Sequence, residues 1–288
     1  MTDIDPTPTA RDAVIRDLLV EPGSAAGITG RSTTWAGGGE YAGLSTKELD
    51  AEAKKFLARG VERLADAQEL LWASDTYAVL IVFQAMDAAG KDSTIKHVMS
   101  GVNPQGVDVV SFRKPSSEEL DHTFLWRTSK AVPQRGRIGI FNRSHYEDIL
   151  VPRVHGLVPK KVWSARYDQI NDFERMLAGN GVVMLKFMLH ISRDEQKARF
   201  EERITDESKN WKFRPGDLED RERWDEFTKA YRGILERTST EWAPWFVVPA
   251  DDKDVRNYLI ARRIADTLES LELDYPAPDP SLAEVEIE

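Results

Sequence analysis

The chain has 288 residues, of which 41% are hydrophobic and 31% charged, as in a folded globular protein of one large or two small domains. It contains no cysteine, which excludes disulfides, thiolate metal sites and cysteine nucleophiles and fits a reducing cytoplasm. The net charge of −10 argues against nucleic acid as a partner, and no apolar run approaches the roughly 20 residues of a membrane-spanning helix.

The first 45 residues are rich in glycine, serine, threonine and proline, and they predict a loop-rich N-terminal extension. No basic stretch followed by an apolar run opens the chain, so we expect no signal peptide and a cytoplasmic protein with no membrane partner. Ser45 and Glu48 form a capping box, which predicts the start of a helix that runs to about Trp72.

Apolar segments alternate with helical patterns along the following 200 residues. They predict strands at about 77–83, 107–112, 137–141, 182–189 and 245–248. Helical spacing predicts helices at about 93–99, 165–177, 193–203 and 254–271. Apolar strands that alternate with helices indicate a parallel sheet covered on both faces, hence a three-layer α/β/α fold whose ligands bind at the carboxyl ends of the strands.

The segment at about 202–223 is dense in charge, poor in aliphatic residues and interrupted by Pro215 and Gly216. We interpret it as an exposed helical lid, with a solvated surface helix as the alternative. The catalytic domain is expected to span 46–272. Residues 273–288, with five acidic and no basic side chains, form an acidic C-terminal tail.

The sequence FQAMDAAGKDST at 83–94 lies between the first long strand and a helix and has the composition of a phosphate-binding loop. Small residues let a backbone wrap around a phosphate, and the start of the helix adds its positive dipole end. Lys91 can place its ammonium group on the transferring phosphates. The segment departs from the G-x-x-x-x-G-K-[ST] pattern at Ala85 and Asp92. The residues predicted to bind phosphate here are Ala88, Ala89, Gly90, Asp92 and Ser93.

Asp87 is unexpected in an anion-binding loop, because a carboxylate repels phosphate unless a cation or a transferred proton offsets its charge. We interpret it as a magnesium ligand or as a group that orients the acceptor phosphate. An aspartate that only stabilises the turn is the alternative.

Polar residues also follow the strand at 137–141. Asn142 occupies the position where a P-loop protein often carries a magnesium-supporting aspartate, and Arg143 beside it suits phosphate oxygens and transition-state charge. Glu147 lies near the start of a helix, and His145 fits a packed histidine better than a base. Three further basic residues follow strand or helix ends and are candidates either for anion binding or for surface decoration: Arg113, Lys114 and Arg127.

The middle of this acidic chain is basic. Between Lys91 and Lys161 there are 12 lysines and arginines against seven aspartates and glutamates. This local excess indicates an anion-binding region, with compositional scatter as the alternative.

Three segments together resemble the polyphosphate kinase 2 family: FQAMDAAGKDSTIKHVMSGVNPQGV, FNRSHYEDILVPRVH and ERITDESKNWKFRPGDLEDRERWDEF. The resemblance covers about 44–271. It implies a P-loop kinase-like fold with a helical lid. It also implies phosphoryl transfer between inorganic polyphosphate and adenine or guanine nucleotides that depends on Mg²⁺, with Mn²⁺ as an alternative ion, and a homo-oligomer, either a dimer or a tetramer.

By this resemblance, Asp87 and Lys91 correspond to the family's phosphate-loop aspartate and lysine, and Arg143 to the arginine of the second motif. The lid residues that match are Arg203, Lys209, Trp211, Lys212 and Asp217. We expect Lys91, Arg143 and Arg203 to offset charge on the transferring group, while Asp87 holds the metal or orients the acceptor. Asn142 departs from relatives that have aspartate there, which puts a metal role at that position in doubt.

Glu147 bears on the choice of acceptor. The sequence R-S-H-Y-E at 143–147 resembles the class III pattern, which accepts nucleoside monophosphates and diphosphates, whereas members restricted to diphosphates tend to read R-S-W-Y-N. Two other functions stay open: an ATP-dependent nucleotide or small-molecule kinase, and a P-loop nucleotide-binding regulator without net transfer.

Overall fold

The computed structural model describes residues 14, 16–38, 41–285 and 287. Its centre is a six-stranded sheet in the order β1-β6-β5-β2-β4-β3. The strands are β1 (Leu19–Val20), β2 (Ala78–Ala85), β3 (Val107–Ser111), β4 (Ile138–Asn142), β5 (Val182–His190) and β6 (Trp245–Pro249). Strands β2 to β6 are parallel, as predicted, and β1 adds a short antiparallel edge that the sequence analysis did not predict.

Ten α-helices surround this sheet in the described part of the chain. They are α1 (Thr46–Ser74), α2 (Lys91–Val98), α3 (Ser117–Asp121), α4 (Trp126–Ala131), α5 (Glu147–Val154), α6 (Lys160–Gly179), α7 (Arg193–Thr205), α8 (Pro215–Glu222), α9 (Trp224–Thr238) and α10 (Lys253–Glu269). None of these helices is long and apolar enough to cross a membrane.

The helices form two layers, one on each face of the sheet. Apolar side chains of α1, α2 and α10 pack with the face of β2 that carries Val79, Ile81 and Phe83. Those of α5, α6 and α9 pack with the opposite face, which carries Leu80 and Val82. Because successive side chains of a strand point to opposite faces, the unbroken apolar run of β2 is buried on both sides, and the predicted three-layer α/β/α fold is confirmed.

The capping box predicted for α1 is formed. The amide of Ser45 donates to the Glu48 carboxylate at 2.8 Å, and the amide of Glu48 donates to Ser45 Oγ at 3.4 Å. The helix ends at Asp75, which adopts the left-handed conformation with φ +48° and so turns the chain toward β2. Reciprocal bonds of this kind satisfy amides that the first helical turn leaves without partners.

The register of the sheet brings the sequence motifs together. Phe83 of β2 lies opposite Asn142 of β4, and Ala85 lies opposite Leu189 of β5. The loops that follow β2, β4 and β5 therefore leave the sheet at the same edge, as expected for the carboxyl ends of parallel strands.

The charge-dense segment at 202–223 leaves this edge after β5. It contains the last turn of α7, a short 3₁₀ turn at Asn210–Lys212 and all of α8. The segment is helical and largely exposed, and its role as a lid stays a prediction.

Candidate active site

The loop between β2 and α2 turns back on itself within five residues. Ala88 and Gly90 have positive φ angles of 63° and 103°, and the amide of Ala89 donates to the carbonyl of Met86 at 3.3 Å. Gly90 is required both by its conformation and by space, since an added Cβ would lie 2.3 Å from Arg256 Nη1. In the described part of the chain, the amides of Ala88, Gly90 and Lys91 have no protein acceptor.

The side chain of Lys91 folds back over this loop. Its ammonium group donates to the carbonyl of Ala85 at 3.2 Å, and the hydroxyl of the buried Tyr231 donates to the same oxygen at 2.9 Å. Burial, followed by the neighbouring Arg143, lowers the pKa of Lys91, whereas Asp87 and Glu147 oppose that shift. The lysine is thus held beside free amides, an arrangement suited to a phosphate.

Arg143 comes from the end of β4 and meets Asp87 across the cavity. Its Nη2 lies 3.0 Å from Asp87 Oδ1, and its backbone adopts the left-handed region with φ +62°. A long side chain rarely occupies that region, and such local strain concentrates at functional sites. Its amide donates to the carbonyl of Phe83 at 3.0 Å, which ties β4 to β2 at this point.

Glu147 starts α5 and lines the same cavity. Burial raises the pKa of its carboxyl group, while Arg143 and Lys91 counteract the shift. Burial alone would lower the pKa of Arg143, but Glu147 and Asp87 outweigh it and raise that pKa. The four groups therefore form a partly desolvated set of two cations and two carboxylates, in which charge interactions are stronger than in water.

Asn142 and Asp92 pair with each other. Asn142 Nδ2 donates to Asp92 Oδ1 at 2.5 Å. These two residues stand where a P-loop protein usually holds its metal, and neither lines the cavity. Ser93 lies beside Asp92 in the first turn of α2 and is partly exposed.

The charge-dense segment closes one side of the cavity. Asp217 and Asp220 of α8 line it together with Asp87 and Glu147, and Arg203 Nη1 lies 3.8 Å from Asp217 Oδ2. Burial, and next the charge of Asp87, raises the pKa of Asp217 and of Asp220. The space they line is about 60 Å³, enough for small groups and too small for a whole nucleotide in this arrangement.

Three of the lid residues that the family resemblance identified lie away from the cavity. Lys209 bonds to Glu202 at 2.7 Å and to Asp206 at 2.8 Å within its own segment. Trp211 is 76% exposed, and the ammonium group of Lys212 lies 5.1 Å from the centre of its indole ring. In this arrangement they do not touch the phosphate loop.

The basic residues after β3 are separate from the cavity as well. Arg113 and Lys114 are exposed. Arg127 lies 3.3 Å from the Asp148 carboxylate, and its Nη1 donates to the carbonyl of Arg113 at 2.8 Å. Arg127 thus holds the loop after β3 against α5.

A buried ionic cluster lies under the second motif. Lys186 Nζ contacts Glu174 Oε2 at 2.6 Å and the hydroxyl of Tyr146 at 2.9 Å, and Tyr146 in turn donates to Glu174 Oε1 at 2.6 Å. His145 Nε2 lies 3.2 Å from the same carboxylate and is completely buried. The histidine belongs to this packed cluster, which agrees with its interpretation from the sequence.

Comparison with known proteins identifies the family. The family model for polyphosphate kinase 2 matches residues 47–276. The chain belongs to the polyphosphate kinase 2 family. It is 50% identical over 242 residues to the AMP/ADP-polyphosphate phosphotransferase of Meiothermus ruber, an alignment that covers 84% of this chain and 90% of that protein.

Two further polyphosphate kinase 2 relatives agree. The ADP-polyphosphate phosphotransferase of Rhodopseudomonas palustris is 50% identical over 239 residues, which cover 79% of this chain and 83% of that protein. The crystal structure of polyphosphate kinase 2 from Arthrobacter aurescens TC1 matches with a TM-score of 0.86 and 41% identity over 93% of both chains. The family membership that the three motifs predicted is confirmed.

A divalent metal ion at this site would need substrate phosphates as additional ligands. The described residues contain no group of three or more histidine, aspartate or glutamate side chains arranged to hold an ion. Magnesium is commonly held by one or two carboxylates together with substrate phosphates. Asp87 fits such a site, because it belongs to the phosphate loop and Arg143 engages only one of its two carboxylate oxygens, Oδ1.

The sequence analysis missed residues that hold the phosphate loop from below. Gln196 and Arg199 of α7, Tyr231 of α9 and Arg256 of α10 all donate to carbonyl groups at 85–89. The spacing of Gln196 and Arg199, three positions apart on one helix face, is the one signal in the sequence, and it does not by itself indicate a loop partner.

Proposed function

We propose that this chain transfers phosphate between inorganic polyphosphate and nucleotides, and that it phosphorylates AMP and ADP toward ATP in the cytoplasm with Mg²⁺ or Mn²⁺. The observation that carries the proposal is the meeting of Asp87, Lys91 and Arg143 beside free loop amides at the carboxyl edge of the sheet. Both relatives described above are named as phosphotransferases that use polyphosphate.

The reaction needs positioning and charge compensation. An oxygen of the acceptor nucleotide's terminal phosphate attacks the terminal phosphorus of polyphosphate and forms the new P–O bond. The bond to the next phosphate breaks, and polyphosphate leaves one unit shorter. A bound divalent cation supplies charge neutralisation on the phosphate oxygens. Lys91 and Arg143 stabilise the remaining negative charge, and Asp87 orients the acceptor or holds the cation.

The segment at 202–223 acts as a lid in this proposal. Arg203 reaches the transferring group when the lid closes, and Asp217 holds that arginine in place. Lys209, Trp211 and Lys212 contact the substrates from the tip of the lid, and Arg113, Lys114 and Arg127 bind the polyphosphate chain outside the cavity. Closure excludes water and thereby limits hydrolysis.

AMP as an acceptor depends on Glu147 in this proposal. A monophosphate leaves the space of a second phosphate empty beside Arg143 and Lys91, and the Glu147 carboxylate faces that space. The two phosphotransferases described above differ in the acceptor that their names give, AMP and ADP for one and ADP for the other. We further propose that the chain forms a dimer or a tetramer.

The test supplies AMP, Mg²⁺ and long-chain polyphosphate without ATP, and separates the nucleotides by anion-exchange chromatography. ADP followed by ATP would support both the donor and the acceptor. Product from ADP alone would overturn the role of Glu147 and keep the donor. Transfer only after ATP is added would show an ATP-dependent kinase. Asp87→Asn is the matched control, because it removes the carboxylate charge at similar volume and is expected to abolish turnover.

A further inference from the structure

Three consecutive carbonyl groups of the phosphate loop accept hydrogen bonds from side chains of α7. Gln196 Nε2 donates to the carbonyl of Asp87 at 2.9 Å. Arg199 Nη1 donates to the carbonyls of Ala88 and Ala89, each at 3.0 Å. With these oxygens engaged by α7, the loop amides that lack a protein acceptor remain available to an anion.

Arg256 adds a second guanidinium group under the same loop. Its Nη1 donates to the carbonyl of Ala89 at 2.9 Å, and its other nitrogens donate to Asn257 Oδ1 at 3.2 and 3.0 Å. The side chain is completely buried, and Gly90 has no Cβ at the point where one would touch it. Arg256 therefore lies directly beneath the start of α2.

This buried guanidinium forms no ion pair with any described residue. Its partners are a carbonyl and an amide, both neutral. Arg199 is different, because its Nε lies 2.7 Å from the Glu195 carboxylate. Burial, and next the neighbouring Arg199, lowers the pKa of Arg256 to about 10 against the opposing charges of Asp252 and Asp254, so the group is charged at neutral pH.

A buried charge without a counter-charge destabilises a fold. Arg262, six positions further along α10 and almost as buried, has Asp266 as a partner at 3.7 Å and donates to the Tyr258 hydroxyl at 2.7 Å. Helix α10 thus gives Arg262 a carboxylate partner and leaves Arg256, which faces the phosphate loop, with only the more distant charges of Asp252 and Asp254. A polyanion bound to the loop amides would supply negative charge close to Arg256.

We propose that Arg256 is a positioning residue of phosphoryl transfer: it fixes a positive charge beneath the phosphate loop that the bound phosphates compensate, and with Arg199 it keeps the loop carbonyls turned away from them. The identity of the phosphate ligand in this inference rests on the proposed function, whereas the position of Arg256 rests on its contacts under the loop.

The experiment compares Arg256→Met, Arg256→Lys and the matched control Arg262→Met. Each protein is assayed for kcat and for the KM of polyphosphate, and its Tm is measured with and without tripolyphosphate. We expect Arg256→Met to raise the KM for polyphosphate at least tenfold and to lose most of the Tm increase that tripolyphosphate produces. Its Tm without ligand is expected to stay within a few degrees of wild type, because an unpaired buried charge is removed.

Arg256→Lys, which keeps the charge, should recover part of the affinity. Arg262→Met should lower the Tm and leave the KM for polyphosphate near the wild-type value. The inference is overturned if Arg256→Met keeps the wild-type KM and tripolyphosphate shift, or if its Tm falls as far as that of Arg262→Met while Arg256→Lys recovers no affinity.

The proposed function can fail separately. If the wild-type protein turns over no polyphosphate but tripolyphosphate still raises its Tm, loss of that shift in Arg256→Met supports the inference without the reaction. If tripolyphosphate leaves the wild-type Tm unchanged, both the anion site and the inference are wrong.

Discussion

Replacement of Lys186 by methionine would break the ionic cluster beneath the second motif. Lys186 lies on β5 with no exposed surface, and its ammonium group contacts the Glu174 carboxylate, the Tyr146 hydroxyl and, at 2.6 Å, the carbonyl of Thr238. Methionine has a similar volume and no charge, so Lys186→Met leaves Glu174 buried without its main counter-ion. Tyr146 and His145 alone would then face the carboxylate.

The size of the effect follows from the burial. Removal of one partner of a buried ion pair costs about 3–5 kcal/mol, because the other charge is left uncompensated. For a chain of this size each kcal/mol lowers the Tm by about 2–4 °C, so Lys186→Met is expected to lower it by about 6–20 °C. The double replacement Glu174→Gln with Lys186→Met removes both charges and is expected to recover most of that loss.

The effect also depends on pH. Burial alone would raise the pKa of Glu174, but Lys186 and His145 outweigh it and hold that pKa below its usual value. The stability that this pair contributes is therefore present above the pKa of an unfolded glutamate and is lost as the pH falls through the lower folded value. In Lys186→Met the carboxyl group can take up a proton, so its Tm deficit should shrink from pH 7.5 to pH 5.

Thermal unfolding followed by circular dichroism measures these differences, and residual activity at 25 °C shows whether the second motif keeps its geometry. A Tm loss below about 3 °C in Lys186→Met, or a double variant as unstable as the single one, would refute the argument that Glu174 and Lys186 stabilise each other.

Three shorter predictions concern the site itself. Arg203→Ala should lower kcat strongly without a change in Tm, and a kcat within about threefold of wild type, about 0.65 kcal/mol of barrier, would contradict the lid assignment. Gly90→Ala should lower kcat/KM at least about tenfold, because its φ of +103° is strained for alanine and the added Cβ meets Arg256. The control Gly179→Ala adds a Cβ with no atom within 4 Å and should leave kcat/KM near the wild-type value. Glu147→Gln should lower kcat/KM for AMP relative to ADP. Burial raises the pKa of Glu147, so this carboxylate takes up a proton as the pH falls. The ratio of kcat/KM for AMP to kcat/KM for ADP should therefore fall at acid pH in the wild type and stay constant in Glu147→Gln.

The fold was largely predictable from the sequence because its longest strands are apolar on both faces. Strands β2 and β5 are almost fully buried, and such runs stand out in any window. Strand β1 was not predictable, because two residues carry no periodicity and need β6 to form a ladder. Helix α9 was also missed. Its buried Phe227, Tyr231 and Ile234 follow directly on a charged stretch, which obscured their helical spacing.

The site was predictable where its chemistry is contiguous in the chain. Asp87 and Lys91 share one loop, and Arg143 follows a strand whose register with β2 sets its position. Arg199 and Arg256 were not predictable, because in the sequence each is one of several arginines in a charged helix. Only the packing of α7 and α10 shows that these two donate to the loop. Tertiary contacts, and no local pattern, select them.

The same contacts explain how an acidic protein can bind a polyanion. Of the 12 basic residues between Lys91 and Lys161, Arg143 alone lines the cavity. Others are engaged elsewhere: Arg127 with Asp148, and Arg137 with Asp108 at 2.7 Å. A basic stretch therefore does not by itself locate the anion, because most of its cations lie outside the cavity. Arg256, the buried arginine beneath the phosphate loop with no carboxylate within ion-pair distance in the described part of the chain, lies outside that stretch, on α10. A bound phosphate chain can balance its charge.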